Sequence, residues 1–142
     1  MSVNLDPYIF FNGNANEALE FYKSIFGGKL DISTFASMKD KMPPEYQMDD
    51  DKIMHGLLSG GAVRLMVSDS VSASPEAKKI ELSLNGEDEA MLKGFFEKLS
   101  EGGKVTMPLE KAPWGDYFGM VTDKYNVAWM VNVTSAENVA KA

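Results

Sequence analysis

Hydrophobic and polar positions along this chain follow two periods, one typical of strands and one of helices. Apolar side chains occupy alternate positions over 5–12, which predicts a strand, and then recur at helical spacing. Asn14 is the predicted N-cap of this helix, with Glu17 three residues later as in a capping box. Gly27-Gly28 is predicted to end the helix, because glycine tolerates the left-handed conformation found there.

Three further strands are predicted after the first helix. The pattern over 29–37 predicts one strand, and the segments 53–59 and 62–68 predict a hairpin around the two-residue turn Gly60-Gly61. Residues 38–51 have no periodicity and predict a long loop, which is either a surface excursion or a functional lid.

The same order of elements begins again after a joint rich in small residues. A helix is predicted over 87–100 and ends at Gly102-Gly103, as the first helix ends at a glycine pair. Four segments of this second copy have strand patterns: 80–84, 104–109, 116–122 and 127–133. The order strand, helix, three strands therefore occurs twice, which indicates two fused half-domains.

The last two strands form a predicted hairpin in which Thr122 pairs with Val127. This register gives an apolar face, predicted to pack against a helix, with Phe118, Met120, Trp129, Val131 and Val133. The other face, suited to lining a cavity, has Tyr117, Gly119, Val121, Ala128, Met130 and Asn132. A slip of one residue exchanges these assignments.

The predicted fold class is α+β, with two βαβββ modules in a single domain over 1–142. Module 1 covers about 3–69 and module 2 about 77–134. Because strands outnumber helices and are mostly joined by hairpins, each module is expected to form a curled mixed sheet with its helix outside. Two such sheets would enclose a cavity.

Composition excludes several classes of partner. The formal net charge is −7 and the pI about 4.7, which opposes binding to nucleic acid or anionic lipid. The chain has no cysteine, so it has no disulfide, thiolate metal site or cysteine nucleophile. A signal start and a long apolar run are also missing, and the expected location is the cytoplasm.

Short motifs along the chain carry a family resemblance. They include Pro7-Tyr8, Phe11-Asn12-Gly13-Asn14-Ala15, Phe26-Gly27-Gly28, Met54-His55-Gly56, Leu65-Met66-Val67-Ser68-Asp69, Trp114-Gly115-Asp116-Tyr117-Phe118-Gly119, Thr122-Asp123-Lys124-Tyr125 and Trp129-Met130-Val131-Asn132. With the double βαβββ order, they resemble the vicinal oxygen chelate superfamily of glyoxalase I, bleomycin-resistance proteins and extradiol dioxygenases. Within it, the chain is similar to the PhnB-like branch.

The resemblance implies four metal-ligand positions, on the first and last strands of each module. Two of these positions fall on Met66 and Met130, whose thioethers cannot replace carboxylate ligands. The other two fall near Asp6 or Tyr8 and near Lys79 or Glu81. We therefore expect no metal and no other cofactor.

His55 is the candidate catalytic residue, because it is the only histidine and histidine is the usual general base near neutral pH. Hairpin pairing around Gly60-Gly61 places it opposite Met66. His55 either supports the cavity wall by a hydrogen bond or transfers protons. Arg64, on the same face, either orients an anionic group or pairs with an acid such as Glu81.

The predicted ligand-binding residues combine aromatic, thioether and hydrogen-bonding side chains. They are Tyr8, Phe10, His55, Arg64, Met66, Glu81, Trp114, Tyr117, Met130 and Asn132. For the aromatic members, the alternative is an ordinary place in the core.

The leading functional hypothesis is a metal-independent protein that binds a small apolar or partly aromatic molecule. The alternative is an isomerase or lyase acting on a small carbonyl compound, with His55 as acid or base. A metal-dependent enzyme of the glyoxalase or dioxygenase type is the third and weakest hypothesis. Relatives of this architecture imply a homodimer.

Overall fold

Two structural units make up the chain, each with its own sheet and α-helix. A computed structural model describes residues 6–38, 48–70 and 80–135. The units are Met1–Pro75 and Glu76–Ala142.

The first unit is a mixed sheet with a helix. Its elements are β1 (Tyr8–Phe11), α1 (Ala15–Phe26), β2 (Lys29–Thr34), a 3₁₀ turn (Phe35–Met38), β3 (Ile53–Ser59) and β4 (Leu65–Asp69). The four strands lie in the order β1-β4-β3-β2. β1 runs parallel to β4, and the other neighbours are antiparallel.

The second unit repeats this arrangement. Its elements are β5 (Leu82–Gly86), α2 (Glu89–Ser100), β6 (Lys104–Lys111), β7 (Tyr117–Thr122) and β8 (Ala128–Val133). The strand order is β5-β8-β7-β6. As in the first unit, the first strand, β5, runs parallel to the last strand, β8, and the other neighbours are antiparallel. The predicted fold class, α+β with two βαβββ modules, is confirmed.

Some element boundaries differ from the sequence predictions. β2 ends at Thr34 rather than at residue 37, because the backbone N–H of Phe35 donates to Lys52 O at 3.0 Å and the chain turns into the 3₁₀ segment. β5 begins at Leu82, two residues later than predicted. Of the predicted loop over 38–51, residues 39–47 lie outside the described part of the chain.

The predicted two-residue turn at Gly60-Gly61 is wrong. β3 pairs with β4 so that Leu57, not His55, lies opposite Met66. The connection is longer because it packs on the end of α1. Ala62 N donates to Phe26 O at 3.1 Å, and a Cβ on Gly61 would lie 2.6 Å from that same oxygen. The shift is an even number of residues, so His55 and Met66 remain on the same face.

The second hairpin is also displaced, by one residue. Thr122 pairs with Ala128 rather than with Val127. The cause is the carboxylate of Asp123, only 3% exposed, which accepts hydrogen bonds from the N–H groups of Tyr125 and Val127 and from Trp129 Nε1 at 2.9, 3.1 and 2.8 Å. These bonds form a longer turn than the sequence pattern predicted.

This displacement exchanges the two faces of β7 and leaves those of β8 as predicted. Val121 and Gly119 now share the buried face with Trp129 and Val131. Three side chains of β7 move to the face of Met130 and Asn132: Phe118, Met120 and Thr122. Phe118 and Met120 are half-buried, and the prediction that they belong to the helix-packed core is wrong.

Each helix packs on one face of its own sheet. The face of the first sheet that contains Leu65 and Val67 is buried, and a Cβ on Gly56 of that face would lie 2.5 Å from Leu19 Cδ1 of α1. Gly119 has the same place in the second unit, where a Cβ would lie 2.9 Å from Phe96 Cε2 of α2. Glycine at these positions lets the helix approach the strand closely.

The start of α1 is stabilised by a strand residue. Asn14 is the N-cap as predicted, but its side chain makes no capping hydrogen bond. Asp69, only 2% exposed, instead accepts hydrogen bonds at Oδ1 from Gly13 N and Ala15 N at 2.9 and 3.0 Å. Its Oδ2 accepts from Ile53 N at 2.9 Å. One carboxylate therefore joins the ends of β1 and β4 to the starts of α1 and β3.

No helix among the described residues is long and apolar enough to cross a membrane.

We predict that Asp69→Ala lowers the free energy of unfolding by about 2–4 kcal/mol, because buried N–H groups lose their acceptor. Asp88→Ala is the matched control, since Asp88 is an exposed N-cap with one bond, to Met91 N at 3.0 Å, and its loss should cost about 1 kcal/mol. Urea denaturation measures both. Equal shifts in midpoint would contradict the central role of Asp69.

Candidate functional site

The face of the first sheet that points away from α1 carries most of the predicted site residues of that unit. Tyr8 pairs with Met66, and Met66 pairs with Leu57, so these side chains form a row across three strands. The next row along the strands contains Phe10 with Ser68, which are paired in the same register, and His55 on β3. We call this surface the Tyr8 face.

An exposed aromatic pair dominates the Tyr8 face. The rings of Tyr8 and Phe10 are stacked, with centroids 4.9 Å apart and an interplanar angle of 15°. Tyr8 is 40% exposed and Phe10 57%. Two residues at alternate positions of one strand point to the same side, which explains the stacking. Large apolar groups held in this way offer a flat surface to a ligand.

His55 is held by Tyr8. The Tyr8 hydroxyl and His55 Nδ1 are 3.1 Å apart, and the two rings meet at 56° with centroids separated by 5.7 Å. If Nδ1 accepts the hydroxyl proton, Nε2 carries the imidazole N–H; if Nδ1 donates, Nε2 is an acceptor. In either tautomer the bond fixes the plane of the imidazole.

Arg64 forms its ion pair with Asp6. The distance from Arg64 Nε to Asp6 Oδ2 is 2.9 Å, and the side chains are 49% and 14% exposed. The acid that pairs with Arg64 is therefore Asp6 and not Glu81, the acid suggested by the sequence. Asp6 lies two residues before Tyr8, and Arg64 lies two residues before Met66, its partner on the parallel strand. The ion pair therefore lies on the same side as the Tyr8 face, at its end. At this exposure it contributes at most about 1 kcal/mol.

The second unit has a corresponding face with Met130 at its centre, which we call the Met130 face. Met130 pairs with Ser83 on one side and with Met120 on the other, as Met66 pairs with Tyr8 and Leu57. Asn132 is on the same face and pairs with Phe118. Glu81 precedes β5 and is exposed.

Tyr117 is not on the Met130 face. The register shift places it with Val133 on the side of α2, where Lys93 Nζ lies 4.7 Å from the centre of its ring. This position corrects the expected grouping of Tyr117 with Met130 and Asn132. A cation above the ring face is a favourable arrangement, so Tyr117 has a packing role against the helix.

Trp114 lies in a tight turn before β7. Gly115 N donates to Ala112 O at 2.9 Å, and Ala112 N donates to Asp116 O at 2.7 Å. The indole is 56% exposed and meets the ring of Phe118 edge-on, with centroids 5.8 Å apart. Because Phe118 belongs to the Met130 face, its contact with Trp114 places the indole at the edge of that face.

Asp116 is a functional candidate whose contacts the sequence did not reveal. It is 9% exposed and accepts hydrogen bonds from Asn132 Nδ2 at 3.1 Å and from Ser135 N at 2.9 Å. Asp116 and Asn132 are far apart in sequence and meet only through the pairing of β7 with β8. The only sequence signal for this contact was that the two residues lie on the two strands of the predicted hairpin. The predicted register of that hairpin was wrong by one residue.

The side chains at the ligand positions of the resembled metal site do not suit a catalytic metal. Tyr8 pairs with Met66 in the first unit. In the second unit the residue paired with Met130 is Ser83, and not Lys79 or Glu81 as the resemblance implied. A thioether with a phenol in the first unit, or with a hydroxyl in the second, is a poor pair of ligands for zinc or for the harder divalent metals. Within the described ranges, no three His, Cys, Asp or Glu side chains are grouped so that they could hold a metal ion.

Comparison with known proteins identifies the family. Residues 4–131 match the model of the Glyoxalase/Bleomycin resistance protein/Dioxygenase superfamily, and the chain belongs to this superfamily.

Three similar proteins extend over nearly the whole chain. Protein YjdN of Escherichia coli (strain K12) is 29% identical over 94% of this chain and 97% of its own length. The crystal structure of protein PA1353 from Pseudomonas aeruginosa is 40% identical, with a TM-score of 0.78 over 93% of this chain and 98% of that one. A PhnB protein from Bacillus cereus, described as a putative 3-demethylubiquinone-9 3-methyltransferase, is 26% identical, with a TM-score of 0.73 over 93% and 100%.

We predict that the protein purified without chelators contains far less than one transition-metal ion per chain, because Met66 and Met130 replace metal-binding side chains. Elemental analysis by plasma mass spectrometry measures this. A stoichiometric metal that survives gel filtration would contradict the prediction.

Proposed function

We propose that this protein binds a small apolar or partly aromatic molecule against the Tyr8 face, without a metal. The observation that carries the proposal is the stacked and exposed pair of Tyr8 and Phe10. Exposed aromatic rings at adjacent places on a sheet face are suited to a ligand ring or chain.

The surroundings of the aromatic pair support a binding role. Met66 and Leu57 continue the apolar row beside Tyr8, and a methionine can adjust its shape to a ligand. His55 supplies a hydrogen-bonding group fixed by Tyr8. A mainly apolar surface with few oriented polar groups is typical of small-molecule sites.

Methyl transfer is not part of the proposal, although one similar protein is described as a putative methyltransferase. The residues between β1 and α1 are Asn12-Gly13-Asn14, and those between β5 and α2 are Glu87-Asp88, which follow Gly86 at the end of β5. Neither is a glycine-rich nucleotide turn.

A second candidate function is favoured by the pairing of His55 with Tyr8. A histidine with a fixed ring plane can act as a general acid or base, for example in an isomerase or lyase acting on a carbonyl compound. The orienting group here is a neutral phenol rather than a carboxylate, so it offers less stabilisation to a charged imidazolium. This difference makes binding the first proposal and catalysis the alternative.

A thermal-shift screen of small aromatic and apolar metabolites, with and without EDTA, tests the binding proposal. We predict that hits stabilise the protein equally with and without the chelator, because ligand binding to the native state raises its stability by mass action. Phe10→Ala should weaken binding of a hit by about two- to twelvefold, since an aromatic contact contributes about 0.5–1.5 kcal/mol.

Ile32→Ala is the matched control for Phe10→Ala. Ile32 is another apolar side chain of the first unit, 37% exposed, but it pairs with Gly56 on the face that α1 covers. Its variant should bind the hit as the parent protein does. A hit whose affinity depends on Ile32 and not on Phe10, or one that needs a metal, would contradict the proposal.

His55→Gln separates binding from catalysis. If His55 only supports the wall of the binding surface, we predict that ligand affinity changes by a few fold in the variant. The glutamine amide can replace one hydrogen bond of the imidazole, worth about 1 kcal/mol. Calorimetric titration of the hit measures this change. If the hit is converted to a product and turnover falls by about 10²–10⁴ in the variant while binding survives, His55 is a general acid or base and the alternative function is correct.

We also propose that the protein acts in the cytoplasm as a homodimer. Exposed apolar side chains on the edge strand β6, Val105 at 42% and Met107 at 45%, support an assembly that covers them. Light scattering at micromolar concentration should give twice the chain mass of 15.6 kDa. A monomeric mass would reject the dimer and leave the binding proposal intact.

A further inference from the structure

The Met130 face contains a side-chain amide whose orientation is fixed. Asn132 Nδ2 is 3.1 Å from Asp116 Oδ2. A carboxylate accepts hydrogen bonds and donates none, so the nitrogen of the amide must face Asp116. Asn132 Oδ1 therefore lies on the far side of the planar amide and is presented as an acceptor. The backbone N–H of Ser135 holds the other oxygen of Asp116 at 2.9 Å.

Aromatic rings stand beside this acceptor. Phe118 lies directly across the strand pair from Asn132, where Cβ atoms are about 4.5–5.5 Å apart. Trp114 meets Phe118 edge-on and is 56% exposed. A solvent-accessible indole, a second ring and a hydrogen-bond acceptor of fixed direction are therefore neighbours within the second unit.

We propose that Trp114, Phe118 and Asn132 form a binding site for a flat aromatic ring that carries an N–H or O–H donor. Trp114 and Phe118 contact the ring, and Asn132 Oδ1 accepts its hydrogen bond. Asp116 is a positioning residue, because it determines which end of the Asn132 amide the ligand meets. All three residues belong to the second unit, and none of the observations behind this proposal comes from the Tyr8 face.

Indole and 1-methylindole are suitable probes, since they have the same ring system but only indole has an N–H donor. We expect indole to bind about fivefold more tightly, the effect of one hydrogen bond of about 1 kcal/mol. Titrations followed by ¹⁵N NMR also locate the probe. The Trp114 Nε1 and Asn132 Nδ2 signals should move, whereas Trp129, which is 1% exposed and bonded to Asp123, is an internal reference that should not.

One variant and its control test whether the preference comes from the amide. Asn132→Ala should bind both probes with equal affinity, whereas a preference caused only by the size of the methyl group would survive in this variant. Asn85→Ala is the matched control, because Asn85 is an exposed amide paired with Asn132 on the same face and should leave the preference unchanged.

Asp116→Asn tests the positioning role. An asparagine there can accept from Ser135 N and turn its own amide nitrogen toward Asn132, which would then present Nδ2 instead of Oδ1 to the ligand. The preference for indole should be lost while the ring still binds. Folding of each variant is checked by the dispersion of its NMR spectrum. If Asp116→Asn does not fold, the comparison of Asn132→Ala with Asn85→Ala still decides whether the acceptor exists.

Several results would overturn the proposal. These are no shift at Trp114 with millimolar indole, equal affinity of the parent protein for both probes, or a preference that persists in Asn132→Ala. A preference that persists in folded Asp116→Asn would overturn the positioning role of that carboxylate.

Discussion

The buried carboxylate of Asp69 is the interaction on which the first unit depends. It accepts three backbone hydrogen bonds and joins a parallel strand pair to the start of α1 and the start of β3. A helix start buried without acceptors would be costly, so this contact fixes where α1 leaves the sheet. In the second unit a different residue, Asp123, has a similar influence through a turn. Each unit therefore has a buried carboxylate that accepts several N–H hydrogen bonds where its sheet meets a turn or a helix start.

Because each helix covers one face of its sheet, the opposite face is not covered by that helix. Met66 and Met130 occupy equivalent central places there, between a parallel and an antiparallel neighbour. The groups around them differ: the first unit has the stacked Tyr8 and Phe10, and the second has Asn132. The two units thus share their backbone pairing but differ in the side chains on this face. Membership of the superfamily alone therefore does not identify the ligand.

On both faces a polar side chain has its orientation fixed by a neighbour. Tyr8 fixes the ring of His55, and Asp116 fixes the amide of Asn132. Pre-oriented polar groups on an otherwise apolar surface lower the cost of binding a ligand, because less side-chain freedom is lost. Both arrangements are consistent with specific recognition of a small molecule, and neither uses a metal ligand at Met66 or Met130.

The sequence by itself determined the repeat, the fold class and the faces of β8, because hydrophobic period and glycine stops are local signals. It also placed His55 and Met66 on one face. Only the tertiary structure decided the two hairpin registers, since these depend on packing of Ala62 against the end of α1 and on the contacts of Asp123. The same is true of the pairs Arg64 with Asp6 and Asn132 with Asp116. Their members are distant in sequence, and only strand pairing brings their side chains within hydrogen-bonding distance.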